Sequence, residues 1–160
     1  MTGDGAGKPV ERARELALSY LDRRMRSRIE LARYLRRRGF PGEVIDRVLD
    51  EIAASGHLDD RAFARAFARD RVRLAPRGYR LIAREIEDRG VARDLVDRAL
   101  AEVEAEFPEV DVARALLRGR RRRLAGRAMP QQRRTIEGWL VRRGFRRETI
   151  RRVLEEGVEE

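Results

Sequence analysis

Apolar residues recur along this chain at the three- and four-residue spacing of a helix face: Leu16, Tyr20 and Leu21, then Leu31 and Leu35, then Val44, Ile45, Val48, Leu49 and Ile52. No segment reads as a convincing strand. Pro, Gly and Ser fall between these stretches, at Gly39-Phe40-Pro41-Gly42, Ser55-Gly56, Pro76-Arg77-Gly78, Gly90, Pro108, Gly126, Pro130 and Gly144. Such residues punctuate helices, and the segments they mark are about 10 to 18 residues long.

The pattern repeats. Leu35 to Leu49, Ile86 to Leu100 and Leu140 to Leu154 align without a gap. Each has an aliphatic residue, an Arg-Gly pair followed by an apolar residue, an acid (Glu43, Asp94 or Glu148), and an aliphatic-x-Arg-x-Leu close. The glycine suits the left-handed residue that ends a helix, the preceding arginine faces the negative helix end, and the acid falls in the first turn of the next helix. Leu31, Ile82 and Ile136 extend the match one turn upstream, and Ala17 with Tyr20 is answered by Ala64 with Phe67 and by Ala113 with Leu116. Ser27-Arg28-Ile29-Glu30 reads as a capping box, Asp59 as an N-cap, and Pro130 suits a first turn.

The expected architecture is therefore all-α: three tandem three-helix repeats in an elongated, curved array. The boundaries read as a flexible tail over 1–11, repeat one over 12–56, repeat two over 57–108 and a divergent, basic repeat three over 109–157. A unit this small cannot bury a sufficient core alone and must lean on its neighbours. Such an array presents a long surface rather than a pocket.

Charge changes this picture by singling out one unit. Charged residues make up 41% of the chain, and the net charge is +10. Residues 1–56 carry +3, residues 57–110 carry −1 and residues 111–160 carry +8. An acidic partner follows, whether nucleic acid, an acidic protein face or an anionic membrane. Lys8 is the only lysine, a bias toward arginine that a GC-rich genome would produce without selection for phosphate contacts. The candidate contact residues are Arg36, Arg37, Arg77, Arg80 and Arg84 near the unit junctions. In the third unit they are Arg118, Arg120, Arg121, Arg122, Arg123, Arg133, Arg134, Arg142, Arg143, Arg146 and Arg147. Trp139 is the only tryptophan and reads as core rather than as a base-stacking platform.

Catalytic chemistry finds little footing. One histidine, His57, and no cysteine leave neither a Ser-His-Asp triad nor a thiolate metal site readily assembled. Asp59 and Asp60 diverge on a helix and read as a cap. Gly3 to Lys8 lacks the spacing of a phosphate loop. No cofactor or metal is expected, no apolar run approaches the roughly 20 residues of a membrane span, and the cytoplasm is the expected compartment.

Several motifs agree in order and spacing with a known family. They are Ser27 to Leu31 running to Leu35 and Gly39-Phe40, then Gly56-His57-Leu58-Asp59-Asp60 with Phe63-Ala64, then Arg77-Gly78 and Ile82, then Glu85-Ile86 with Gly90-Val91. On these residues the chain resembles the RecX family over about residues 12 to 155, with repeat three the more divergent. It departs from the family pattern at His57, where Tyr is usual, and at Pro41 and Ala92, where Ser or Thr often caps the third helix. The resemblance implies a non-enzymatic regulator that binds RecA filaments on single-stranded DNA. By this resemblance it inhibits their ATPase and recombinase activity by occupancy and affects filament growth or stability. A monomer with possible direct DNA contact and no membrane contact is expected. A stand-alone helical DNA-binding protein or transcriptional regulator is the alternative. Because the resembling motifs lie mainly in the first two units and most of the positive charge in the third, the first two are expected to confer partner specificity and the third much of the nucleic-acid attraction.

Overall fold

A computed structural model describes residues 7–124 and 129–156, the side chains of 121–124 and 129 excepted. Among these residues it has nine helices and no strand: α1 (Gly7–Leu21), α2 (Arg28–Arg37), α3 (Gly42–Ala54), α4 (Asp60–Leu74), α5 (Tyr79–Glu87), α6 (Arg93–Glu106), α7 (Glu109–Leu124), α8 (Met129–Arg142) and α9 (Arg147–Glu156). Helices pack mainly within successive threes, and in each three the first and third helices share the largest contact. The architecture is a tandem array of three-helix units. The first helix begins at Gly7, ahead of the expected boundary at residue 12, because Val10 is buried with Ala13 and Ala17 on one face. Of the expected tail over residues 1–11, residues 1–6 lie outside the described residues.

Local chemistry sets the helix ends. Ser27 and Glu30 form the reciprocal capping box, and Asp59 accepts from the backbone N–H groups of Arg61 and Ala62. Glu43, Asp94 and Glu148 stand in the first turns of α3, α6 and α9, where a carboxylate meets the positive helix end. The turn glycines Gly39, Gly90 and Gly144 have φ of 85°, 81° and 79°.

The arginine before each turn glycine does something the sequence did not foretell. Arg38 lies 4.9 Å over the Tyr34 ring, Arg89 4.5 Å over Phe67 and Arg143 4.9 Å over Trp139. A second arginine stands over each aromatic group: Arg26 over Tyr20, which stacks on Tyr34, then Arg71 over Phe67, and Arg120 over Trp139. Every unit has one such pair of arginines, each contact contributing about 0.5–1 kcal/mol at this degree of exposure.

Two hydrophobic clusters hold the chain together. Leu31, Leu35, Ile45, Val48, Leu49 and Ile52 form the heart of the first, which is confined to the first unit and Leu58. The second runs from Phe63 to Leu154 without a break between the second and third units. Each fully buried aliphatic side chain stabilises the fold by about 1.5–3 kcal/mol. Units two and three therefore share one core, while unit one has its own.

The units are joined by one device used twice. Ser27, at the head of α2, donates its hydroxyl to the Arg89 carbonyl at 2.5 Å, and the next N–H, of Arg28, donates to the Asp60 carboxylate at 2.7 Å. Gly78 stands at the matching position before α5. Its N–H donates to the Arg143 carbonyl at 2.8 Å, and the next N–H, of Tyr79, donates to the Glu109 carboxylate at 3.0 Å. In both cases the second helix of one unit sets its N-terminus on the glycine turn of the next. The acid that receives it, Asp60 or Glu109, is the first residue of that next unit's opening helix. Burial pushes the Asp60 carboxyl up, against the backbone N–H of Arg28, which pulls it down. Glu109, only 2% exposed, also accepts from Thr149 at 2.5 Å and from the backbone N–H and Nε of Arg146 at 3.2 and 3.0 Å.

Candidate functional site

The second junction opens on one side into a cleft of about 800 Å³ between α5 and the α8–α9 pair. Arg80 and Arg84 of α5 form one wall, and Arg133, Arg142, Arg147 and Arg151 form the other, with Glu137 the one carboxylate among the lining residues. The floor is apolar, made by Leu81, Val141, Phe145, Ile150 and Leu154. All six arginines are exposed. Among the described residues, only Arg151 of these six has a carboxylate within ion-pairing distance, Glu155 at 3.9 Å. Five guanidinium groups thus line one cleft with no ion pair among the described residues, an arrangement that attracts a polyanion and offers bidentate forks to its oxygens.

The first junction supplies an internal comparison. By the repeat, Ile29 and Arg33 match Arg80 and Arg84, while Glu87, Asp88, Arg93 and Asp97 match Val141, Arg142, Arg147 and Arg151. Arg93 lies 2.8 Å from Glu87 and 3.2 Å from Asp97, and these carboxylates, Glu87 foremost, raise its pKa. Arg147, its counterpart, has an aliphatic and a cationic neighbour instead. The same backbone joint is neutralised in one copy and strongly basic in the other.

The arginines expected from the sequence divide into four groups. Arg80, Arg84, Arg133, Arg142 and Arg147 are brought together in the cleft. Arg77, Arg143 and Arg146 are spent on protein groups at or beside the joint. Arg77 pairs with Glu85 and donates to the Ala75 carbonyl at 3.0 Å, Arg143 donates to the Pro76 carbonyl at 2.8 Å, and Arg146 pairs with Glu104 and Glu109. Arg36 and Arg37 are exposed at the end of α2, Arg118 and Arg134 are exposed on α7 and α8, and Arg120 lies 4.6 Å over Trp139, all apart from the cleft lining. The side chains of Arg121, Arg122 and Arg123 lie outside the described residues. Sequence reading missed Arg151, although its place one turn after Arg147 on α9 was a usable signal. It also missed Glu109, whose burial nothing local announces.

Trp139 is partly buried against the shared core, in keeping with a packing role, and has two guanidinium groups over its ring. His57 is exposed, with Nδ1 2.9 Å from the Ser55 hydroxyl. Among the described residues no three metal-ligating side chains come together, and no helix is long and apolar enough to cross a membrane.

Comparison with known proteins agrees with this arrangement. The family description "RecX, first three-helix domain" matches residues 13–51, and "RecX, second three-helix domain" matches residues 59–100. The chain belongs to the RecX family. A Regulatory protein RecX of Streptomyces coelicolor is 32% identical over 158 residues, covering 99% of this chain and 84% of the relative. That of Mycobacterium avium is 37% identical over 136 residues, covering 84% and 78%. That of Geobacillus kaustophilus is 36% identical over 151 residues, but this chain spans only 55% of its length. The RecX crystal structure from Lactobacillus salivarius shares the fold, with a TM-score of 0.87 at 18% identity over 93% of this chain and 96% of that one. The two RecX descriptions cover the neutralised junction and its units, whereas the basic cleft takes its second wall from residues beyond them.

Proposed function

We propose that this chain is a non-enzymatic regulator of a RecA-type recombinase that binds the recombinase filament on single-stranded DNA. It acts by occupancy, suppressing ATP hydrolysis and strand exchange and altering filament growth or stability. The observation that carries this reading is the junction used twice. Three units held in register by a matched pair of hydrogen bonds at each joint suit a partner that itself repeats. The cleft favours direct contact with DNA as part of the same engagement, and a monomer in the cytoplasm fits the occupancy mode.

The test adds the purified chain to RecA assembled on circular single-stranded DNA and follows ATP hydrolysis and filament length by electron microscopy. Slower hydrolysis with shorter or fewer filaments at stoichiometric amounts is expected. Unchanged hydrolysis and filament length at those amounts would refute the proposal. Binding to a duplex site in the absence of RecA, lost on altering one third helix, would instead support a stand-alone DNA-binding protein.

A further inference from the structure

We infer that the cleft between the second and third units is a binding site for the phosphodiester backbone of single-stranded nucleic acid, and that it works without any protein partner. The inference deepens the reading above by assigning the ligand of one site.

Composition alone does not explain the cleft. An arginine-rich genome would load both junctions alike, yet the first holds Arg33 and Arg93 against Glu87, Asp88 and Asp97. Among the described residues, the second holds six arginines against Glu137. In the first, Arg93 is spent on two carboxylates, and in the second the positions of those carboxylates are Val141 and Arg151. The cationic character is therefore particular to one joint of a repeated backbone.

The nature of the ligand follows from the two materials of the cleft. Guanidinium groups on opposing walls match a ligand with closely spaced, bidentate anionic groups, which a nucleic-acid backbone supplies at every residue. The floor is aliphatic, with Val141 54% exposed. Only an unpaired strand can turn base faces toward such a floor while its phosphates reach the rim, because a duplex keeps its bases stacked inside. With Phe145 buried, no aromatic ring is open for base stacking in the cleft, so backbone charge rather than base identity governs binding.

The test measures fluorescence anisotropy of a labelled 20-nucleotide oligo(dT) with the chain alone, over a salt series. R84A/R147A should weaken binding about tenfold and flatten the slope of log K against log salt by about 1.4, for two phosphates released from a single strand. The matched pair R33A/R93A, at the same places of the first junction, should change affinity less than twofold. D88R/D97R, which installs the counterparts of Arg142 and Arg151 in the first junction, should tighten binding and steepen the slope. Equal losses from the two alanine pairs would overturn the assignment, as would equal affinity for a hairpin duplex. So would competition by poly-glutamate as effective as by unlabelled oligo(dT), which would mark a site for an acidic protein segment. Circular dichroism of each variant separates lost binding from lost folding. No recombinase is present, so a negative result leaves the filament reading intact, and failure of the ATPase assay leaves this site intact.

Discussion

Replacing Glu109 by alanine removes one acceptor from four donors at once: the N–H of Tyr79, the N–H and Nε of Arg146, and the hydroxyl of Thr149. The Glu109 side chain is 1% exposed, so water cannot readily take its place. The Tyr79 N–H and the Thr149 hydroxyl are left buried and unmatched, at a cost of about 3–5 kcal/mol together, whereas Arg146, its side chain 44% exposed, can turn to water. That is a large share of the roughly 5–15 kcal/mol by which a domain is stable, and corresponds to a fall in Tm of about 6–20 °C for a chain of this size. Glutamine keeps the shape and an acceptor but loses the charge, and should cost about 1–2 kcal/mol. Urea unfolding followed by circular dichroism gives both values. Trp139 fluorescence reports the same joint locally, since Arg143 covers that ring and donates to Pro76 across the junction. A loss below about 1 kcal/mol for E109A, or equal losses for E109A and E109Q, would refute the account of Glu109 as the charged hub of the joint.

Other expectations rest on equally local features. Gly144→Ala should destabilise far more than Gly39→Ala. Both have positive φ and incur the roughly 1–2 kcal/mol left-handed penalty, but an added Cβ at Gly144 would meet the Leu81 backbone nitrogen at 2.6 Å while Gly39 faces open space. Thermal unfolding of the two variants compares them. Ser27→Ala should cost about 1–2 kcal/mol by urea titration, since a fully buried hydroxyl both caps α2 and reaches the Arg89 carbonyl. On acidification, Glu51, Glu102, Glu106 and Glu156 act together. Hydrogen bonds from Arg14, Arg61, Arg69 and Arg114 respectively hold their carboxyls below the ordinary range. A lowered carboxyl stabilises the folded state above the unfolded value of about 4.3 and loses that contribution as pH falls through the folded value. Asp60 works in the opposite sense, its raised pKa making protonation easier in the folded chain. Helical circular dichroism should therefore hold from neutral pH to about 5 and decline below about 4, and stability unchanged down to pH 2 would contradict the ion-pair assignments.

The units were legible in the sequence because each stage of their construction is local. Capping at Ser27 and Asp59, the positive-φ glycines and the first-turn acids are decided within a few residues, and the aliphatic stripe follows from the helix period. The junctions were not legible, since they pair groups far apart in sequence, such as Ser27 with Arg89 and Gly78 with Arg143. Their common logic appears only when Ser27 and Gly78, chemically unlike, are seen at one structural position. The cleft lay between these cases. Arg80, Arg84, Arg133, Arg142 and Arg147 were each suspect from charge, but no spacing rule could separate them from Arg77 or Arg146, whose donors are spent on Glu85 and Glu109. The shared core of units two and three was hidden for the same reason, as periodicity marks a buried face without naming what covers it.

The two joints also order events during synthesis. The head of α2 emerges from the ribosome before its partners exist: the carboxylate for Arg28 lies 32 residues downstream and the carbonyl for Ser27 lies 62 downstream. Until then water must serve those groups, although the aliphatic cluster of the first unit can already form. The second unit in turn waits for Glu109 and Arg143, and its core stays open until the third is made. A ribosome stalled after the first unit would hold a chain whose own aliphatic cluster is all but complete, whereas one stalled after the second would display an unfinished apolar face, the state in which a nascent chain is most exposed to aggregation.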